Sequence, residues 1–383
     1  MKIVLSGVGT KNKGAELMLY AILQELERKA PHAQVYISPM RVRQGLDYVR
    51  TRVHLRYTSC PLVCKMTQKL HLGGLFGRLH LPVKLFATLD IIKDADWFID
   101  GSGFVFGDQW QWPIGRTKMW ESMLKSLFNK GCKIIFLPQA FGPVEKPNTK
   151  RILAVLNKYA DVLMSREQVS YNYLEESGVV DMLKVRKYTD FTSLVEGVFP
   201  KGYEHLRNGI CIIPNMKMIA KGKMTYEDYI SLLSSIAHEG IKSNRPVYLL
   251  NHEGSKDSEL CYKCKEAIGG GIEVVTNLNA LEVKGLISSA YLVITSRFHG
   301  LASALNSCVP ALATSWSHKY EELYYDYGLD GYVLPLDDLD TAIDKVRELL
   351  DNEENIRIRM SLSTQVPKIK AETQEMWKLI WGI

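Results

Sequence analysis

Two doubly wound α/β domains, each built on a parallel sheet, are the fold class this sequence predicts. Three observations predict it. The chain has 383 residues, more than a single hydrophobic core usually holds. Short apolar runs alternate with stretches of helical period along most of its length, the pattern of repeated βα units. A stretch mixing Gly, Pro and charge, 196–207, separates two such series. The expected domains are 1–195 and 208–365, with a terminal helix, 366–383, packing near their junction.

Composition narrows the function classes. Hydrophobic residues make up 46% and charged residues 23%, the balance of an ordinary soluble globular protein. A net charge of +6 suits an anionic substrate or surface. No C2H2 spacing, RNP-type aromatic motif or long Lys/Arg run accompanies it, so no nucleic-acid partner is expected. Seven cysteines, at 60, 64, 132, 211, 261, 264 and 308, form no framework, which fits a reducing compartment. Cys261 and Cys264 make a lone CxxC in a Lys/Glu-rich helical stretch, a weak metal or redox signal beside the plainer reading of helix residues. The first residues read as a strand rather than a signal peptide, and no apolar run reaches the ~18 residues of a membrane span. A cytoplasmic protein is expected.

The elements follow in order. Residues 2–6 are a buried-strand pattern, Gly7, Gly9, Asn12 and Gly14 lie in the loop behind it, and Leu19, Ile22, Leu23 and Leu26 give a helix over 17–29. The glycine spacing is neither GxGxxG nor a P-loop. The loop reads as ligand-facing or as a plain turn needing positive φ. A second strand is expected at 34–38. Residues 40–84 then carry nine basic residues against one acidic, a net of +8. Interleaved leucines and valines suit an anionic membrane surface or a lipid-linked acceptor. The alternative is a helical insertion whose Arg and Lys stems reach out to water.

Further strands are expected at 96–100, capped by Gly101, Ser102 and Gly103; at 133–137, running into Gln139 and Gly142; and at 161–165, followed by Arg166. Helices are expected at 120–129, at 151–158 and after Arg166-Glu167 through Glu176, with Asp190 in the exit segment. The second series has strands at 209–214, 246–250, 272–275 and 332–336, and helices at 226–242, 260–268, 280–289 and 339–352. Asn251, His252, Glu253 and Gly254 end the strand 246–250. The tail, 371–383, groups Met376, Trp377, Ile380 and Trp381 on one side.

Polar residues and glycines thus gather at strand carboxyl ends, where open α/β sheets bind ligands. The richest end is 291–319. An apolar strand leads into Ser296-Arg297-Phe298-His299-Gly300, then a helix expected to start at Gly300 or Leu301, a second strand and Lys319. A helix start offers backbone N–H groups to an anion. Arg297 offers a fork for carboxylate or phosphate, and His299 a proton near neutral pH. A solvated surface turn is the alternative. Two halves so decorated predict a cleft between them, the GT-B type of architecture with two Rossmann-like domains.

In these residues the chain resembles the polysaccharide pyruvyl transferase family, over roughly 3–330. The carriers are Asn12-Lys-Gly14-Ala-Glu16, Gly101-Ser102-Gly103, Gln139-Ala-Phe-Gly142-Pro143, Arg166-Glu167 with Ser170 and Leu174, Asp190-Phe191, and Ser296 to Gly300 with Ala304, Pro310 and Lys319. The family's opening motif usually has Asp where Ala15 stands, and its middle motif often has a third glycine where Ser102 stands. The resemblance implies transfer of an enolpyruvyl-derived group from phosphoenolpyruvate to two hydroxyls of a polysaccharide sugar, forming a pyruvate ketal. It implies Arg297, Arg166 and Lys319 as partners of the donor's carboxylate and phosphate, and His299 as the acid that protonates the vinyl carbon. Asn12, Gly14, Glu16, Gly101, Ser102, Gly103, Gln139, Gly142, Asp190, Ser296 and Gly300 are its further substrate-binding positions. The scheme needs no metal or cofactor beyond the donor. The acceptor is a sugar or lipid-linked oligosaccharide, and 40–84 is the place for a peripheral contact with the inner face of a membrane. A nucleotide-sugar glycosyltransferase of the same architecture, and a non-catalytic partner in glycan assembly, are the competing readings.

Overall fold

A computed structural model describes residues 1–38, 41–42, 55–58, 94–315 and 317–383. The chain divides into two compact units. The first comprises 1–11, 18–192 and 373–383, and the second 12–17 and 193–372. Each is a doubly wound α/β domain, as the alternating pattern predicts.

The first unit holds a seven-stranded sheet in the order β3-β2-β1-β4-β5-β6-β7. Its strands are β1 (Lys2–Ser6), β2 (Gln34–Ile37), β3 (Leu55–Tyr57), β4 (Trp97–Asp100), β5 (Lys133–Gln139), β6 (Val162–Ser165) and β7 (Val185–Lys187). Every pairing is parallel. Central strands such as β6 are buried at every residue, because helices on both faces leave no solvated side. Helices Ile114–Phe128 and Pro147–Tyr159 pack over Phe98, Phe106, Trp120, Ile134 and Phe136 in its core. The strand order reverses between β1 and β4.

The second unit holds a five-stranded parallel sheet in the order β10-β9-β8-β11-β12. Here the strands are β8 (Ile210–Ile213), β9 (Val247–Leu250), β10 (Glu273–Val275), β11 (Leu292–Thr295) and β12 (Ala311–Ala313). The order reverses between β8 and β11. Such a reversal leaves a crevice at the strands' carboxyl ends, the usual ligand position in this class.

Several expected boundaries move. Helix α1 spans Lys13–Lys29, four residues earlier than periodicity placed it, because Asn12 caps it. The helix after β11 is Phe298–Asn306, beginning before Gly300, since Arg297 occupies the cap position. The strand expected at 332–336 is only a bridge between Val333 and Ala313. The helices of the first unit begin earlier than expected, at Ile114 and Pro147. In the second unit, the helix expected at 260–268 begins at Gly254. The stretch read as a linker is packed: Val198 N–H donates to Leu281 O at 2.9 Å, and Gly197 lies against the Gly285 backbone. The last helix is Asn352–Gly382, running through Pro367, and passes from the second unit to the first at 372/373. In the first unit Trp381 donates to Glu25 at 2.7 Å and stacks near Trp97, while Trp377 meets Phe191 edge-on. Most of 40–84 lies outside the described residues; within it, 55–57 form β3. Among the described residues no helix is long and apolar enough to cross a membrane.

Candidate functional site

The turn after β11 sits at the reversal point of the second sheet. Ser296 fixes it. Its carbonyl accepts from Asn215 Nδ2 at 2.8 Å and from the Tyr320 hydroxyl at 2.7 Å. Its hydroxyl joins those of Tyr229, at 2.5 Å, and Thr314. Gly300 allows the next turn to approach the strand, since a Cβ there would lie 2.6 Å from Thr295 Oγ1. That same Oγ1 accepts the Arg297 N–H at 3.0 Å. So Ser296 and Gly300 hold the backbone that presents Arg297 and His299.

Three helix N-termini meet here. Asn12 Oδ1 accepts the Gly14 and Ala15 N–H groups at 2.8 and 3.2 Å, an N-cap that starts α1. Gly14 then abuts His299: a Cβ at Gly14 would stand 2.3 Å from His299 Nδ1. His299 is the second residue of Phe298–Asn306. The third helix, Gly254–Ile268, has Glu253 at its cap position and Asp257 in its first turn. Both carboxylates bind Arg297, Glu253 on Nη1 and Asp257 on Nη2. The Asn12 side chain also hydrogen-bonds Glu253. Each N-terminus carries partial positive charge, so their convergence suits an anion.

Electrostatics sort the groups. Burial opposes charge on Arg297, but Asp257 and Glu253 outweigh it and raise its pKa. Burial likewise works against the Glu253 carboxylate, and Arg297 holds it below its usual range. The expected free fork is therefore committed at both ends, and only Nε lacks a hydrogen-bond partner among the described residues. His252 is fully buried. Burial first, then the charges of Arg297, His299 and Lys13, push its pKa well below that of free histidine. Lys217 lies within electrostatic reach of Glu253 and Arg297, and burial lowers its pKa. Lys319 is buried with Nζ 5.5 Å from the ring centres of Phe298 and Tyr320.

Glu16 has a structural setting. It is buried, accepts from Lys13 Nζ at 2.8 Å and from the Ala280 N–H, and burial raises its pKa. It thus ties the start of α1 to the N-terminus of helix Ala280–Ser288. The structure therefore groups Asn12, Gly14, Glu16, Ser296, Arg297, His299, Gly300 and Lys319 in the second unit. Sequence reasoning assigned no role to His252, Glu253, Asp257, Asn215 or Lys217. The available signal was the end of β9, where Glu253 and Asp257 are four residues apart, one helical turn.

The remaining predicted positions lie in the first unit, at the carboxyl ends of β4, β5, β6 and, for Asp190, β7. Gly7 and Ser102 touch: a Cβ on Gly7, whose φ is +78°, would meet Ser102 Oγ at 2.2 Å. Gly101 lies against Val8, and Gly103 O accepts the Ala140 N–H at 2.8 Å. Burial pushes the Asp100 carboxyl above its usual range, while the Ser102 and Ser6 hydroxyls pull it down. Gln139 is fully buried with neither amide atom hydrogen-bonded within the described residues. Arg166 and Asp190, both buried, pair at 3.5 Å. Gly142 is a seat for Gln109, whose amide would collide with a Cβ there. Cys261 and Cys264 are buried core thiols, and no metal-ligand cluster occurs among the described residues.

Among solved structures, the chain is similar to the S. aureus MnaA–UDP co-structure, with TM-score 0.63 and 12% identity over 99% of this chain and 96% of that one. It is similar to the UDP-GlcNAc 2-epimerase from Neisseria meningitidis bound to UDP-GlcNAc, with TM-score 0.63 and 10% identity over the whole of both chains. It is also similar to Anabaena Alr3699/HepE in complex with UDP and glucose, with TM-score 0.61 and 11% identity over the whole of both. At these identities the likeness establishes the GT-B fold of two Rossmann-like domains. No protein of curated function matches the sequence. The family model of polysaccharide pyruvyl transferases matches residues 12–318, from the cap of α1 past the Arg297–His299 turn, and the chain belongs to that family.

Proposed function

We propose that this enzyme transfers a pyruvyl group from phosphoenolpyruvate to two hydroxyls of a polysaccharide sugar, forming a ketal. The observation that carries the reading is the meeting of three helix N-termini around His299 and Arg297 in the second unit, which we take as the donor side. The first unit is then the acceptor side. Phosphoenolpyruvate has a carboxylate and a phosphate, and the converging N–H groups with Lys319 and Arg297 Nε suit them. Arg297 itself supplies a fixed charge rather than an open fork. Arg166, paired to Asp190 in the first unit, has the acceptor side as its place.

The chemistry balances without a redox partner. His299 delivers a proton to the CH2 carbon, making a methyl group and leaving C2 electron-poor. One sugar hydroxyl adds to C2 and its proton returns to the imidazole. The C2–O bond to phosphate then breaks with its electron pair going to the phosphate oxygen, the second hydroxyl attacks C2 to close the ketal, and the proton it loses leaves with the inorganic phosphate. A general acid of this kind contributes about 10²–10⁴-fold.

The first test is thermal stability with phosphoenolpyruvate, UDP-sugar and GDP-sugar, since a ligand bound only by the folded state raises stability. Phosphoenolpyruvate raises Tm in the wild type and in His299→Ala, and His299→Ala loses turnover. A response to a nucleotide sugar alone would move the reading to glycosyl transfer. Wild-type turnover by His299→Ala would remove the histidine from the mechanism.

A further inference from the structure

The first unit has a walled hollow that the donor chemistry does not use. It measures about 470 Å³ and is lined by Gln111, Trp112, Lys146, Pro147, Asn148 and Thr149. Its walls come from the segments that leave β4 and β5 ahead of the next helices, so it lies on the carboxyl-end side of the sheet, where this fold class takes ligands. Hydrogen bonds fix those walls to one another. Asp108 accepts the Glu145 N–H at 2.9 Å and the Lys146 N–H at 3.2 Å, and its own N–H donates to Pro143 O at 2.9 Å. Trp112 donates to Val105 O at 2.8 Å and stacks on Phe106. Trp112 is fully buried, which leaves two amides, a hydroxyl and an ammonium as the polar side-chain groups of the hollow.

Two independent features give the hollow its chemistry. It contains the start of helix Pro147–Tyr159, which has 13 residues, no side-chain cap and no acid in its first turn. The N–H groups of a first turn have no acceptor within the helix and carry partial positive charge. The second feature is Thr149, in that same turn. It is 1% exposed, and its hydroxyl has no hydrogen-bond partner among the described residues. A helical Cα–Cβ bond tilts toward the N-terminus, so this side chain leans toward the open end of the helix, where it lines the hollow. A buried hydroxyl left unpaired is costly, and buried polar groups are as a rule satisfied. Lys146, exposed at the cap position, adds an ammonium. An oxyanion would satisfy the hydroxyl, the ammonium and the helix start together.

We propose that this hollow is a subsite for an oxyanion carried on the sugar acceptor, held by Thr149 Oγ1, Lys146 Nζ and the N-terminus of helix Pro147–Tyr159. This rests on the reading of the first unit as the acceptor side. The oxyanion is either the carboxylate of an acidic sugar in the glycan or a phosphate linked to a sugar. Both present the same charged oxygens to the same donors, and Gln111 and Asn148 supply amides for hydroxyls of the same unit. The reacting hydroxyl pair lies elsewhere on the acceptor, so the subsite selects the chain that is presented and takes no part in closing the ketal.

The test is calorimetric titration of the whole protein with glucuronate, with glucose 1-phosphate and with uncharged glucose. One or both of the charged sugars bind, and glucose does not. Tighter binding of glucuronate assigns an acidic sugar, and tighter binding of glucose 1-phosphate a sugar-linked phosphate. Thr149→Val and Lys146→Ala each weaken that binding about tenfold. Thr149→Ser, which keeps the hydroxyl, retains it, and Lys158→Ala, at the far end of the same helix, leaves it unchanged. The Tm of Thr149→Val stays level or rises, because a methyl group replaces a hydroxyl that has no partner in the fold. A Tm lowered in step with binding would make the hydroxyl structural and overturn the proposal. So would equal affinity in the wild type and Thr149→Val, binding of glucose as tight as that of the charged sugars, or no binding of either charged sugar. Because no turnover is measured, the result is independent of whether phosphoenolpyruvate is the donor.

Discussion

Gly14 and His299 touch: the first turn of α1 leaves no room for a methyl group beside His299 Nδ1. The absent side chain is what lets the imidazole lie against the helix N-terminus. Gly14→Ala therefore displaces His299 while leaving the helix intact, because Ala favours a helix over Gly by up to ~1 kcal/mol. The expected result is a fall in kcat of about tenfold or more with Tm unchanged or slightly raised. Loss of Tm in parallel with kcat would show instead that the glycine serves folding.

Arg297 depends on two unequal carboxylates. The Asp257 side chain is 3% exposed and that of Glu253 32% exposed. Removing charge from a buried pair strands the partner, and costs about 3 kcal/mol; a half-solvated pair is worth about 1. Denaturant unfolding of Asp257→Asn and Glu253→Gln checks this order. Equal losses would mean that water reaches both.

His252 makes stability depend on pH. Its folded pKa is depressed by burial and by the neighbouring positive charges, whereas the unfolded imidazole titrates near 6.5. As pH falls below about 6.5 the unfolded chain takes up a proton that the folded chain refuses, so stability falls. The loss approaches about 1.4 kcal/mol per pH unit below that point. The drop in Tm from pH 7.5 to pH 5.5 is expected to be smaller in His252→Gln than in the wild type. An identical drop would assign the effect to other groups.

The CxxC pair is expected to be inert. Burial raises both thiols, Cys264 to about 12. Native protein at pH 8 should leave Cys261 and Cys264 unlabelled by maleimide, with full labelling in guanidinium, read by mass spectrometry. Native labelling of Cys264 would show that the Gly254–Ile268 helix opens.

Apolar runs bounded by glycine and polar residues sufficed to read most strands of both sheets, because burial on both faces demands continuous apolar sequence, but β3, three residues with one buried inside the basic segment 40–84, was not read. β7, three residues with two exposed, carried too little pattern to be seen. The starts of α1 and of helix Phe298–Asn306 were read late, because Asn12 and Arg297 at their caps do not share the apolar period.

The sequence by itself determined the fold class, the family and the segments that carry chemistry: these are local matters of period, residue type and spacing. Only the tertiary structure decided how those segments are used. It brought Asn12, Glu253 and His299 together from three helices far apart in the chain, placed 12–17 with the second unit, and closed the Arg297 fork with acids forty and forty-four residues away. Charge pairing depends on distances in space, which a linear spacing does not encode. That is why an arginine that reads as an open anion clamp becomes, once folded, a buried charge already held.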